Sequence, residues 1–95
     1  MPAIVGLLSV ELFISDAASL KDRRQVIKSL LDRLAHRHNV AVADLGPDGA
    51  HRRAHLAITT VANEEAHVHR VLTAALRLIE GDPRAVCEGS EIEIL

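Results

Sequence analysis

Tryptophan and tyrosine are absent from this chain, and Phe13 is its single phenylalanine. A sheet that reads single-stranded RNA stacks bases on exposed aromatic rings, so that mode of recognition is excluded for want of side chains. Cysteine is as scarce: Cys87, alone, permits neither an intramolecular disulfide nor a thiolate zinc site, and reads as a small strand residue in a reducing compartment. Charge of one sign is lacking too. Eleven Lys/Arg stand against thirteen Asp/Glu, a net charge of −2, so the molecule as a whole has no bulk attraction for nucleic acid or anionic membranes. Only a local patch could supply it. The apolar run at residues 1–14 has no basic segment ahead of it and is broken by Glu11, well short of the about 18 residues that a membrane span needs. The expectation is a cytoplasmic protein.

Catalytic and cofactor motifs are missing as well. Of the six histidines, His36/His38 and His67/His69 are spaced i,i+2, which on a helix points them about 200° apart, and His51/His55 would need a helix where turn residues stand. No metal and no cofactor are expected. Glu64/Glu65 and Glu91/Glu93 lack a neighbouring nucleophile or phosphate loop, and read as a helix start and a solvated edge rather than as an acid–base pair. The chain is therefore not expected to be an enzyme.

What is present is Leu, Val, Ile and Ala in regular patterns. With 95 residues and 48% apolar content, residues 1–95 make one domain around one modest core. From Ala18 to Val40, Leu20, Val26, Ile27, Leu30, Leu31 and Leu34 fall within about 140° of a helical wheel, a core-facing stripe. Ser19 is the expected N-cap, with Asp22 in the positive first turn, and Asn39 is the expected left-handed terminator. Before this helix, Ile4 to Ile14 alternates as a central strand. After it, Val40 to Leu45 reads as a short strand, Gly46-Pro47-Asp48-Gly49 as a hairpin turn, and His55 to Ala62 as a third strand. Asn63 is the expected cap of a second helix over 64–80, ended by Gly81 and Asp82-Pro83, and Arg84 to Leu95 reads as a charged edge strand. Two helices that each own one stripe must cover the same sheet face. Right-handed crossovers then favour an α+β, ferredoxin-like βαββαβ sandwich with strand order 4-1-3-2.

One sheet face stays bare in that arrangement. Val5, Leu7, Phe13, Ala57 and Val61 would lie on it, and they are the candidate interface of a homodimer. Six Lys/Arg against two Asp at residues 19–38 make the first helix a candidate anion surface, through Lys21, Arg24 and Lys28, with Arg52 and Arg53 joining if the hairpin brings them near. An ordinary solvated helix edge, laced by pairs such as Lys28–Asp32, is the plainer account. Arg23 shares its wheel angle with Leu30 and Leu34, inside the stripe. A guanidinium there calls for a carboxylate, as a structural ion pair, unless it contacts a phosphate or snorkels outward.

The strand Gly6 to Phe13, GLLSVELF, and the helix start Ser19 to Arg24, SLKDRR, together with HLAITTVANEEAHVHRVL further on, resemble a small bacterial family of unknown function, the YlxP-like proteins. The resemblance runs over nearly the whole chain and departs at His51-Arg52-Arg53, where relatives tend to carry Trp or Gln. It implies a ferredoxin-like fold. Genes of the family often lie among those for transcription elongation, translation initiation or ribosome maturation, which implies an RNA-related process. The function expected from residues and resemblance together is a non-enzymatic accessory factor that contacts RNA or a ribosomal particle through Lys21, Arg23, Arg24, Lys28, Arg52 and Arg53. The alternative is a structural or protein-binding homodimer that uses the open sheet face.

Overall fold

The computed structural model describes residues 2–47 and 51–95. The alternating N-terminal run forms β1 (Ile4–Phe13), which turns Leu8, Val10 and Leu12 fully inward while Leu7, Ser9 and Glu11 keep contact with solvent. There follow α1 (Leu20–Arg37), β2 (Ala41–Asp44), β3 (Arg53–Ala62), α2 (Glu65–Glu80) and β4 (Val86–Ile94), the expected βαββαβ order. The sheet is antiparallel, ordered β2-β3-β1-β4, which is the expected 4-1-3-2 read from its other edge. Both helices lie on one face. Leu56 and Ile58 of β3 join the inward residues of β1 there, and Ile27, Leu30 and Leu34 of α1 and Val68, Leu72, Ala75 and Ile79 of α2 close the core from above. The fold is that of an α+β ferredoxin-like sandwich.

The start of α1 follows the sequence closely. Ser19 Oγ accepts the N–H of Asp22 at 3.1 Å, and Asp22 Oδ2 accepts the N–H of Ala18 at 3.0 Å, so an orphan donor of the first turn and the N–H just before the cap are both satisfied. Its end does not. Asn39 takes no left-handed conformation; among the described residues no non-glycine has positive φ, and the chain becomes extended already at His38 (φ −132°, ψ 151°). The physical reason is the short distance to β2. With three residues between Arg37 and Ala41 the chain must run straight into the sheet, and Thr60 Oγ1 holds it there by donating to the Asn39 carbonyl at 2.7 Å. Similarly, Asn63 does not cap α2. Glu64 occupies that position without a side-chain cap bond, its carbonyl accepting the Val68 N–H at 3.2 Å. Gly81 closes α2 in a right-handed conformation (φ −77°) and leads into a turn in which the Asp82 N–H reaches Ile79.

β3 begins two residues earlier than expected, at Arg53, because it pairs with the whole length of β1: Phe13 faces Arg53 and Ile4 faces Ala62. β4 begins later, at Val86, since Arg84 is held by Asp82 rather than by the ladder. Its register against β1 shifts between Glu11 and Leu12, leaving Glu88 as the extra residue of a bulge. β2 and β3 form the expected hairpin, entered by Gly46 at φ 99°, a conformation that favours glycine; Asp48 and Gly49 of the expected turn lie outside the described residues.

Gly6 sits where β1 passes beneath α2. A Cβ on Gly6 would press on Val68 Cγ1 and stand 2.9 Å from Leu72 Cδ1, so this glycine sets how closely the helix can approach the sheet. Replacing Gly6 with Ala is expected to lower the unfolding free energy by about 1–3 kcal/mol, the usual cost of overpacking, as read from urea denaturation. A variant as stable as the parent would show that α2 moves freely over β1.

Candidate functional site

Arg23 is the one buried charge on either helix among the described residues, 6% exposed. Its guanidinium makes four hydrogen bonds inside the molecule: Nη1 to Asp44 Oδ2 at 2.8 Å, Nη2 to Asp44 Oδ1 at 3.0 Å and to the Gly46 carbonyl at 3.2 Å, and Nε to the Arg53 carbonyl at 2.7 Å. The bidentate fork holds the Asp44 carboxyl below the usual carboxylate range, chiefly through these hydrogen bonds. Arg23 is thus a structural peg. Its donors point at the hairpin, and it stands apart from the exposed cations with which the sequence grouped it.

The remaining members of that group are not one patch. Lys21, Arg24 and Lys28 are exposed along α1, and Lys28 is bonded to Asp32 at 2.6 Å. Arg52 lies at the entry to β3, its Nε donating to the Ala17 carbonyl at 3.2 Å. Arg53 projects from the other side of the sheet, paired with Glu88 at 3.0 Å. The hairpin therefore separates Arg53 from the helix layer. What the sequence reading missed is a buried carboxylate held by two arginines. Asp82, 3% exposed, accepts from Arg84 Nε at 3.0 Å and Nη2 at 2.7 Å and from Arg33 Nη1 at 3.1 Å. In the sequence Asp82 reads only as a helix stop before Pro83, and nothing local points to Arg33, 49 residues away.

On the open face, cross-strand partners arrange the side chains in rows. Val61, Val5 and then Leu95, whose N–H donates to the Val5 carbonyl, form one end. Ala41, Thr59 and Leu7 come next, ending at Glu93. Ser9, Glu11, His55 and Glu91 line a polar depression of about 350 Å³ in the middle. Phe13 and Val86, side by side, make the other end next to Arg53. Val61, Val86 and Leu95 are more than half exposed. The expected interface residues Val5, Leu7, Ala57, Val61 and Phe13 all lie on this face, but Phe13 is divided from the rest by the polar middle. The apolar surface has two ends.

Cys87, half-buried, faces the core side opposite Leu12, and burial pushes its thiol up, away from thiolate character. Among the described residues no group of three or more His, Cys, Asp or Glu is placed to hold a metal ion, and no helix is long and apolar enough to cross a membrane.

The two arginine-paired carboxylates, Asp44 and the buried Asp82, give stability a definite pH dependence. Both folded-state values lie below the ordinary 3.8, that of Asp82 at about 2 through the Arg84 hydrogen bonds, so each contributes stability that is present above the unfolded value and lost as pH falls through the folded one. Unfolding free energy is expected to drop steeply between pH 3.8 and about 2, and less steeply in Asp82→Asn. Asp44→Ala, which strands the Arg23 guanidinium, should cost about 3 kcal/mol at neutral pH, and the double replacement Arg23→Met with Asp44→Leu should recover most of it. Denaturant titrations across pH measure all three.

Comparison with known proteins adds the relatives. The chain is 29% identical over 80 residues to the uncharacterized protein YlxP of Bacillus subtilis (strain 168), covering 84% of this chain and 87% of that protein. Among solved structures it resembles the de novo designed protein Foldit4, with a TM-score of 0.58 at 14% identity over 99% of this chain and 97% of the other, a likeness of fold alone. The family model for the protein of unknown function DUF503 matches residues 5–92, from the second residue of β1 to the seventh of β4, and the chain belongs to that family.

Proposed function

We propose that this protein is a non-enzymatic accessory module that works as a homodimer joined through its open sheet face. The observation that carries the reading is that three of the five exposed large hydrophobics among the described residues, Val61, Val86 and Leu95, lie at the two ends of the one face that no helix covers. Strands of ten, four, ten and nine residues, at about 3.3 Å per residue and about 4.8 Å apart, make a face of roughly 500 Å², so two copies would bury about 1,000 Å², the lower limit of a specific interface. A two-fold pairing is the simplest, and the helices then point outward. In sedimentation at tens of micromolar the chain is expected to be a dimer. Val61→Glu or Leu7→Glu should give a folded monomer; a parent chain that sediments as a monomer discards the reading.

A second reading, contact with RNA phosphates through the helix layer, is favoured by the segregation of charge. Lys21, Arg24 and Arg37 on α1 and Arg70 and Arg77 on α2 are exposed and outside the ion pairs among the described residues, whereas Glu11, Glu91 and Glu93 are on the sheet face. Three neutralised phosphates would give a log–log salt dependence with a slope of about 2 in magnitude, nearly blind to sequence. Arg24→Glu with Lys28→Glu is expected to abolish such binding and leave the dimer unchanged. Retained binding in that variant removes the RNA reading.

A further inference from the structure

The cluster around Asp82 is built differently from the one around Asp44. At Asp44 one carboxylate meets one guanidinium, and the charges balance. At Asp82 one buried carboxylate meets two, and one positive charge remains uncompensated. Arg33 Nη1 and Arg84 Nη2 bond to the same oxygen, Asp82 Oδ2, at 3.1 and 2.7 Å, so the two like-charged groups are held side by side. Ser29 Oγ fixes Arg84 further by accepting from Nη2 at 2.9 Å. Both side chains are about two-fifths exposed (39% and 42%), which leaves the outer edges of the forks in solvent. Arg33 has spent one of its five N–H donors in these bonds and Arg84 three; the Nη1 group of Arg84 is unspent.

The surroundings add charge of the same sign. Arg37, one turn beyond Arg33 on the same side of α1, is exposed. No second carboxylate pairs with the cluster among the described residues. Asp32 is bonded to Lys28, and the only carboxylate paired with Arg33 or Arg84 among the described residues is Asp82. Two guanidiniums fixed next to each other on a buried anchor lose little entropy on binding an oxyanion, and an oxyanion relieves their mutual repulsion.

We propose that Arg33 and Arg84, anchored on Asp82 and Ser29, form an oxyanion site between the end of α1 and the α2–β4 turn that takes a phosphate group. The site is distinct from Lys21, Arg24 and Lys28 and stands whether or not the chain dimerises. A phosphate can come from a small monoester or from the backbone of RNA.

The test follows the Nε–H signals of isotope-labelled arginine side chains in the full chain while inorganic phosphate is added at constant ionic strength. Saturable shifts are expected at Arg33 and Arg84, with a dissociation constant in the millimolar range, and none that saturate at Arg70 or Arg77. Arg33→Gln should weaken binding at least tenfold with its melting temperature nearly kept, because Asp82 retains both bonds from Arg84. Should that variant fail to fold, Arg33→Lys, which keeps the charge but loses the fork, carries the test and is expected to bind more weakly. Shifts that rise linearly and alike at every exposed arginine, or that survive the Arg33 substitutions, overturn the proposal. Short single-stranded RNA with and without a terminal phosphate separates the sources: a response to both assigns the backbone, a response to the phosphorylated form alone assigns a monoester.

Discussion

The seat of α1 depends on the ion pair between Arg23 and Asp44. β2 is only four residues long and lies at the sheet's edge, so its ladder with β3 is a weak anchor for the helix above it. Arg23 supplies the missing attachment by gripping three points of the hairpin at once, the carboxylate that ends β2, the Gly46 carbonyl at the turn and the Arg53 carbonyl that opens β3. Asp44 also accepts the Gly46 N–H at 2.9 Å, so the same carboxylate shapes the turn that presents the carbonyl. A charge inside an apolar stripe is normally a cost. Here it fixes the position of a helix relative to an edge strand that apolar packing alone would leave free to slide.

That polar peg explains what could and could not be seen in the sequence. The strands, the helices and their order follow from period-2 and period-3.6 patterns in Ile4–Phe13, Val68–Ile79 and the rest, because burial on one face leaves a periodic trace. Arg23 was legible as an anomaly for the same reason, since it interrupts a stripe. Its partner was not, because an Asp at the end of a short strand looks like any other strand end. The buried Asp82 was still less visible: its neighbours Gly81 and Pro83 account for a helix stop without any partner. Caps failed at Asn39 and Asn63 because tertiary demands, a short path into β2 and a late start of α2, outweighed local preference. The open face was legible row by row, but the separation of Phe13 from Val5 and Leu7 came only with the register.

Placing both helices on one side divides the molecule's charge and apolar surface. The exposed cations, except Arg53 and Arg52, belong to the helix layer, and the acids of β1 and β4 at Glu11, Glu91 and Glu93 belong to the sheet side. A chain with net charge −2 can therefore show a positive surface in one direction. The polar middle of the open face, with Glu11 beside His55 in register, divides that face between two apolar ends, so a partner must match a row of polar groups flanked by hydrophobic ones. Such a pattern gives specificity to a surface that would otherwise be only sticky.

The two arginine-bound carboxylates, Asp44 and Asp82, engage different residues of α1, and comparing them shows which cations are structural. Arg23 has four donors in use and 8% of its side chain exposed; nothing can reach it without dismantling the hairpin. Arg33 and Arg84 are also bound to a carboxylate, yet about 40% of each side chain faces water and the cluster keeps a spare positive charge. Stability alone does not require the second guanidinium, because Arg84 already makes a bidentate pair with Asp82 and a third bond through its own backbone N–H at 2.9 Å. The fork of Arg33 is therefore held in place, paid for by a buried acid, and left open to solvent, which is the arrangement a phosphate needs and a structural ion pair does not.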